Sequence, residues 1–375
     1  MRNTPIWADP VSHLTRHHPD TVQLYFSPAV LQATARRFLK GFNGLVTYAV
    51  KANAGEEVLA NLLSAGIRAF DVASPREMYA IRALSPDAVL HYNNPVRSTD
   101  EIAMAKALGV QSFSVDCDHE LDKLAGIAKG SEITVRLALP VPGAAYDFGE
   151  KFGTDPDHAV ALLRRVVGLG LTPSITFHPG TQCADPRAWG AYIAAAADVA
   201  KRADVTLARL NVGGGFAAHR SGQAPDIEAI FDHIQTQINQ HFGANPPALV
   251  CEPGRAMVAE AFTLATRIKA LRNDGAIFLN DGIYGGLTEA RDMGVGDRIA
   301  VISPSGEARQ ASQKARIVFG PTCDSLDRLP DPVPLPGDLV EGDYVLFAGM
   351  GAYSRSLTTG FNGYGVGTPV TVAVL

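Results

Sequence analysis

Lys51 closes an apolar run in the stretch VTYAVKANAG, residues 46–55. Val46 to Val50 read as a buried strand, and Ala52 to Gly55 as the loop after it. An ammonium at that place is either a surface lysine whose stem lies along apolar atoms or an amine held partly out of water. In the second case its pKa falls, and it can attack a carbonyl as a nucleophile. Other groups could share that chemistry. The run NVGGGF, 211–216, offers the successive backbone N–H groups of Gly213, Gly214 and Gly215, a turn that can wrap an anion or simply be tight. The run EPGR, 252–255, puts the carboxylate of Glu252 beside Gly254 and Arg255. His178 opens HPGTQC, 178–183, and is either a flat partner for a bound ring or a hydrogen-bonded core histidine.

The elements that must position these groups follow from the periodicity. Short β-branched runs occur at 46–50, 68–72, 88–92, 112–116, 134–139, 174–178, 208–212 and 248–252. Ala- and Leu-rich stretches of helical period, such as EEVLANLLSAG and WGAYIAAAADVAKRA, lie between them. Strand–helix alternation over about 210 residues predicts a closed (β/α)₈ barrel, an α/β fold of the usual size. After Arg255 the pattern becomes all β, with Gly-, Pro- and Asp-rich turns. The domain boundaries read as a barrel over 27–255 and a β domain over 256–375. The segment 1–26 joins the β domain through the strand TVQLYF, 21–26.

Composition excludes several other classes. The 375 residues carry 33 Lys and Arg against 38 Asp and Glu, a net charge of −5 with no basic run, which argues against nucleic acid as a partner. The N-terminus is polar and interrupted by prolines. No stretch approaches the roughly 18 apolar residues of a membrane span, so a cytoplasmic protein is expected. The four cysteines, Cys117, Cys183, Cys251 and Cys323, are far apart, so neither a disulfide frame nor a metal site is expected.

In such a barrel the chemistry lies at the C-terminal ends of the strands. Those positions hold Lys51, Asp71, Asn93 and Asn94, Arg136, His178, the glycine run and Glu252. Polar or special residues converge there from nearly every strand, and this favours the reactive reading of Lys51. An amine, an anion cradle after strand 7 and a carboxylate together suggest pyridoxal phosphate. The lysine would hold the aldehyde as a Schiff base and the glycines the phosphate. Glu252 would keep the pyridine nitrogen protonated.

The motifs YAVKAN 48–53, FDVAS 70–74, HPGTQC 178–183, NVGGGF 211–216, EPGR 252–255, NDGIYGGL 280–287, GPTCDSLD 320–327 and GMGAYSRSLTTGFNGY 349–364 run in order over nearly the whole chain. As a set the chain resembles the ornithine/diaminopimelate decarboxylase family, pyridoxal-phosphate enzymes of the alanine racemase-like barrel fold. The resemblance implies that Lys51 is the Schiff-base lysine, that His178 stacks on the cofactor and that Glu252 faces its ring nitrogen. Gly213 to Gly215, Gly254, Arg255 and Tyr353 match phosphate-binding positions, with Thr181 where serine is usual. Asp71 and Arg136 match residues that support the lysine and the site. Cys323 matches the proton donor to the carbanion left by CO₂, and Asp324 the acceptor of the substrate's distal amine. In the family these last two serve the partner's site, which implies a head-to-tail homodimer.

Within the family, CDSLD resembles ornithine and lysine decarboxylases, and Asp292 in YGGLTEARDMG, 284–294, falls where an aspartate grips a distal ammonium. Arg291 and Met293 depart from that pattern, and Asp292 could equally be a solvated helix residue. The leading expectation is decarboxylation of L-ornithine to putrescine. Lysine, diaminopimelate, carboxynorspermidine or an unusual amino acid are alternatives at the same site. A racemase would carry a tyrosine base in place of GPTCD, a non-catalytic regulator should lose the lysine or the glycine run, and a cofactor-free aldolase would not need EPGR.

Overall fold

A computed structural model describes residues 5–141 and 151–375 of the chain; the first four residues of the N-terminal segment lie outside it. The chain starts with helix α1 (Pro10–His17) and strand β1 (Gln23–Phe26), followed by helix α2 (Pro28–Gly41). Strand–helix units then alternate: β2 (Leu45–Ala49), α3 (Glu56–Ala65), β3 (Ala69–Val72), α4 (Pro75–Leu84), β4 (Val89–Tyr92) and α5 (Thr99–Ala107). They continue through β5 (Ser112–Val115), α6 (Asp118–Leu124), β6 (Glu132–Leu137), α7 (Pro156–Gly168), β7 (Thr172–Phe177), α8 (Arg187–Ala203), β8 (Arg209–Asn211), α9 (Ile227–Phe242) and β9 (Ala248–Cys251). Strands β2 to β9 pair in parallel, and β9 returns to β2 to close the barrel. Such strands are covered on both faces, which is why β3 and β5 are buried at every position, Asp71, Ser112 and Ser114 included.

The chain divides into two compact units. One, Thr34–Ala217 with Pro225–Ala256, holds the barrel. The other comprises the described residues up to Ala33, Ala218–Ala224 and Met257–Leu375. Its β10 (Phe262–Leu271) pairs antiparallel with β1. The short strand β11 (Ile277–Leu279) runs beside β10, and the single-turn helix α10 (Arg255–Val258) precedes β10 in the chain. Helix α11 (Ala290–Met293) and strands β12 (Ile299–Ile302), β13 (Gln313–Arg316), β14 (Val318–Phe319), β15 (Val333–Pro336), β16 (Tyr344–Ala348) and β17 (Val370–Thr371) complete the chain. The sheet order is β12–β16–β10–β1–β17. Leu14, Tyr25, Ala265, Tyr344 and Val372 form its core.

The barrel strands fall within two residues of the runs read from the sequence. Two features differ. Pro10 does not break structure: it is the first residue of α1, where its missing N–H is no loss, and Asp9 and Ser12 form a capping box around it. The strand VPLP, β15, went unread because Pro334 and Pro336 argue against a central strand; it pairs only with β13, at an edge that tolerates them.

Candidate active site

Strand β2 ends at Ala49, and Val50–Ala52 make one 3₁₀ turn, so Lys51 stands just beyond its strand rather than at the tip. The β9 loop closes under that turn. The Ala49 N–H donates to the Pro253 carbonyl at 3.2 Å, and a Cβ on Gly254 would lie 3.2 Å from the Cβ atoms of Ala49 and Ala52. Part of the EPGR motif is therefore packing against the lysine turn. Lys51 is exposed in the chain, more than the partly desolvated amine the sequence suggested, and lines a cavity of ≈ 220 Å³ at the C-terminal mouth of the barrel.

Asp71, Arg136, His178 and Glu252 line the same cavity. Asp71 lies beside Ala49 in register and is 4% exposed. Burial pushes its carboxyl well above the ordinary range, the charge of Glu252 adds to this, and Lys51 opposes it. Its Oδ1 has no hydrogen-bond partner among the described residues. Burial pushes the His178 imidazole well below its ordinary value, with Lys51 and Arg136 acting in the same direction, so the ring is neutral at pH 7. Its Nδ1 accepts the Gly180 N–H at 3.1 Å, which puts the ring hydrogen on Nε2. The Arg136 guanidinium stacks over the Phe152 ring at 5.2 Å.

The glycine turn is anchored at both ends. The Trp189 indole N–H donates to the Val212 carbonyl at 3.2 Å, and Phe216 packs against Trp189, Phe38 and Phe231. Gly213 and Gly215 have φ of 69° and 85°, and added Cβ atoms would lie 2.0 Å from the Phe177 carbonyl and 2.4 Å from that of Gly180. The Cys183 N–H donates to the Gly215 carbonyl at 2.9 Å, which fastens the HPGTQC loop, with buried Thr181, to the turn. Arg255, also buried, opens α10.

Glu77, near the cavity, and Lys151, on its wall, were not selected from the sequence, and Asn93 was placed at a strand end without a role. Glu77 on α4 accepts the Ala73 N–H at 2.7 Å, is pushed up by burial and feels the charge of Lys51. Its signal was available, since Ser74 caps α4 and an acid three residues later belongs to a capping motif. Asn93 donates to Glu252, and Lys151 is a second lysine on the cavity wall. A larger cavity, ≈ 610 Å³, opens at the opposite mouth near Leu45 and Ala248. Arg209 there is paired with Glu132 at 3.2 Å, and no lysine, histidine, cysteine or carboxylate lines it, so the chemistry belongs to the smaller cavity.

The remaining candidates, Cys323, Asp324, Asp292 and Tyr353, belong to the β unit. Cys323 is exposed, and its N–H donates to Asn362 Oδ1 at 3.0 Å. Asp324 accepts from the Tyr284 hydroxyl at 2.5 Å and from the Leu326 N–H at 2.9 Å, and the hydroxyl lowers its pKa. Asp327, 1% exposed, accepts from Ile283 N–H at 3.0 Å and from the Thr322 N–H and hydroxyl at 3.0 and 2.8 Å, joining the loops that carry Tyr284 and Cys323. Asp292 is exposed on α11, and its carboxylate faces the Arg291 guanidinium at 3.2 Å. Arg291 thus turns onto the acid and not away from it. Tyr353, at φ 63°, sits in the left-handed region.

A profile of the family "pyridoxal-dependent decarboxylase, pyridoxal binding domain" matches residues 29–259. The chain belongs to this family. It is 34% identical to the chloroplastic ornithine decarboxylase of Nicotiana glutinosa over 86% of this chain and 77% of that protein. It is 32% identical to the lysine/ornithine decarboxylase of Selenomonas ruminantium over 85% and 81%. The crystal structure of the Paramecium bursaria Chlorella virus arginine decarboxylase superposes with a TM-score of 0.85 at 26% identity, covering 97% of this chain and 98% of that one. The protein is a pyridoxal-phosphate-dependent amino-acid decarboxylase with the barrel and β domain of the alanine racemase-like fold.

The cavity of the decarboxylase fits that cofactor. It offers an amine, a flat neutral imidazole and a carboxylate, the glycine turn lies against that imidazole, where a Cβ on Gly214 would stand 3.2 Å from His178 Nε2, and the buried Asp71 Oδ1 has no partner among the described residues. When bound, pyridoxal phosphate supplies an electron-withdrawing ring that takes up the pair left at the α-carbon as CO₂ departs. Among the described residues no helix is long and apolar enough to cross a membrane.

The Asp327 loops have a titrating neighbour. Asp281, 1% exposed, accepts the Gly286 N–H at 2.8 Å, and burial pushes its carboxyl up to about 7. Its folded-state value is raised, so the folded chain keeps a proton that the unfolded chain releases near 3.8. The contribution of Asp281 to stability should therefore fall as pH rises from about 4 to 7 and be level above that. Melting temperatures of wild type and Asp281→Asn, measured across this range, should diverge through that window, because the amide removes the decline. Parallel curves would contradict the assignment.

Proposed function

We propose that the decarboxylase acts on a basic amino acid, with L-ornithine the leading substrate and putrescine the product. The observation that carries this is the side-by-side placement of the exposed Cys323 thiol and the Asp324 carboxylate, the latter held by Tyr284. A thiol that returns a proton to the α-carbon and an acid that takes a distal ammonium are the two groups such a substrate needs. The relatives, named for ornithine, lysine and arginine, support the class without choosing among them. Lys51 holds the cofactor, His178 lies on its ring, Glu252 faces its nitrogen, and Asp71 and Arg136 support the lysine. Thr181, Gly213, Gly214, Gly215, Gly254, Arg255 and Tyr353 hold its phosphate.

An ammonium leaving water needs a carboxylate, because a buried unpaired charge costs several kcal/mol. Asp324, oriented by the Tyr284 hydroxyl and the Leu326 N–H, is proposed as that carboxylate, whereas Asp292 faces a guanidinium, that of Arg291. Arg291 also supports a second reading, a substrate such as diaminopimelate whose distal end carries a carboxylate as well. Release of CO₂ from ornithine, lysine and diaminopimelate separates the two. We expect ornithine ahead of lysine by about ten- to a hundredfold in kcat/KM and diaminopimelate inert. Asp324→Ala should lose most activity, and Arg291→Gln should lower KM for ornithine by about two- to fivefold by releasing Asp292. Activity on diaminopimelate alone, lost in Arg291→Gln, would favour the second reading and reject the first.

The site is also proposed to be shared in a cytoplasmic, head-to-tail homodimer, each Cys323 serving the partner's Lys51. Exposed Leu326, Leu357 and Phe361, at 70%, 48% and 41%, lie on the loops of Cys323 and Asn362 or beside them and support an interface there. Inactive Lys51→Ala and Cys323→Ala chains, mixed and allowed to exchange, should recover about a quarter of wild-type activity, since half the random dimers carry one intact site. No recovery after demonstrated exchange would place both residues in one chain's site.

A further inference from the structure

Glu252 is 8% exposed at the end of β9, and Asn93 and Asn211, 7% and 4% exposed, approach it from β4 and β8. Both side-chain amides donate to the same oxygen, Glu252 Oε1. Asn211 does a second thing: its Oδ1 accepts the Gly213 N–H at 2.9 Å. The Glu252 N–H in turn donates to the Gly213 carbonyl at 2.8 Å, and a Cβ on Gly214 would lie 2.7 Å from the Glu252 carbonyl. The carboxylate and the first amide of the glycine turn are thus fastened to one another through backbone and side chain. Asn93 is held in its own right: Arg97, 2% exposed, donates to the carbonyls of Tyr92 and Asn94 on either side of it, at 3.3 and 2.9 Å.

With Oε1 occupied by two amides, Oε2 is the oxygen left to face the cavity. We propose that Asn93 and Asn211 are positioning residues that orient Glu252 Oε2 toward the cofactor's ring nitrogen and fix its distance from the glycine turn. This rests on the reading that Glu252 faces that nitrogen. A carboxylate free to rotate would share its charge between two directions; one clamped at Oε1 presents a single acceptor along one line, which suits a ring N–H.

The test is differential binding. The full-length chain, freed of cofactor, is titrated with pyridoxal phosphate and with the analogue in which a C–H replaces the ring nitrogen. Wild type should prefer pyridoxal phosphate by about tenfold or more, as a charge-assisted hydrogen bond implies. In Asn93→Ala the preference should shrink to about threefold or less, with affinity for the analogue nearly unchanged. Asn211→Asp keeps the acceptor for Gly213 but replaces the donor to Glu252, and should behave alike even if Asn93→Ala folds poorly. Variants that retain the wild-type preference, or that lose affinity for both ligands equally, would overturn the proposal. A wild type without any preference would instead refute the assignment of Glu252, and the proposal with it.

Discussion

Two carboxylates, Asp71 and Glu252, are buried within reach of each other's charge at one mouth of the barrel, and the arrangement around them follows from that constraint. Like charges out of water repel strongly, so one must give up its charge or both must be compensated. The structure does both. Asp71 is pushed toward its protonated form, while Glu252 collects two amide donors and feels the charge of Arg136. Burial, and after it the charges of Lys51 and Arg136, keep His178 neutral. A flat uncharged ring, two carboxylates and an amine therefore share one small cavity.

Much of this was legible in the sequence. The barrel follows from short β-branched runs alternating with helical ones, and the strand ends then name Lys51, Asp71, Arg136, His178 and Glu252. Glycines are legible when a carbonyl stands where a Cβ would go, as at Gly213 and Gly215. The two asparagines were not legible in their role. Asn93 could be noted at a strand end, but nothing in a linear pattern says that its amide meets that of Asn211 on one oxygen of a third strand's glutamate. Glu77 was missed because an acid that only caps a helix and one that also feels the charge of Lys51 look identical until the helix is placed.

The β unit shows the same limit at longer range. Three loops far apart in the chain meet there through short polar contacts: Asp327 takes Ile283, Asn362 takes Cys323, and the Thr359 N–H donates to the Tyr284 carbonyl at 2.8 Å. Glycines make this possible, since a Cβ on Gly282 or Gly320 would lie 2.1 Å from Asp327 Oδ1. A motif such as GPTCDSLD thus mixes two kinds of residue. Asp327 and Gly320 build the loop, while Cys323 and Asp324 are what it presents.

Lys51 is proposed as the anchor of the cofactor, and the cavity contains a rival. Lys151 lines it too, with its ammonium 5.0 Å from the centre of the Phe152 ring. Borohydride reduction of the cofactor-loaded enzyme, followed by peptide mapping, separates them. The account predicts one phosphopyridoxyl group per chain, on the peptide carrying Lys51, and its disappearance in Lys51→Ala but not in Lys151→Ala. A label on Lys151, or no label on a chain saturated with pyridoxal phosphate, would contradict it.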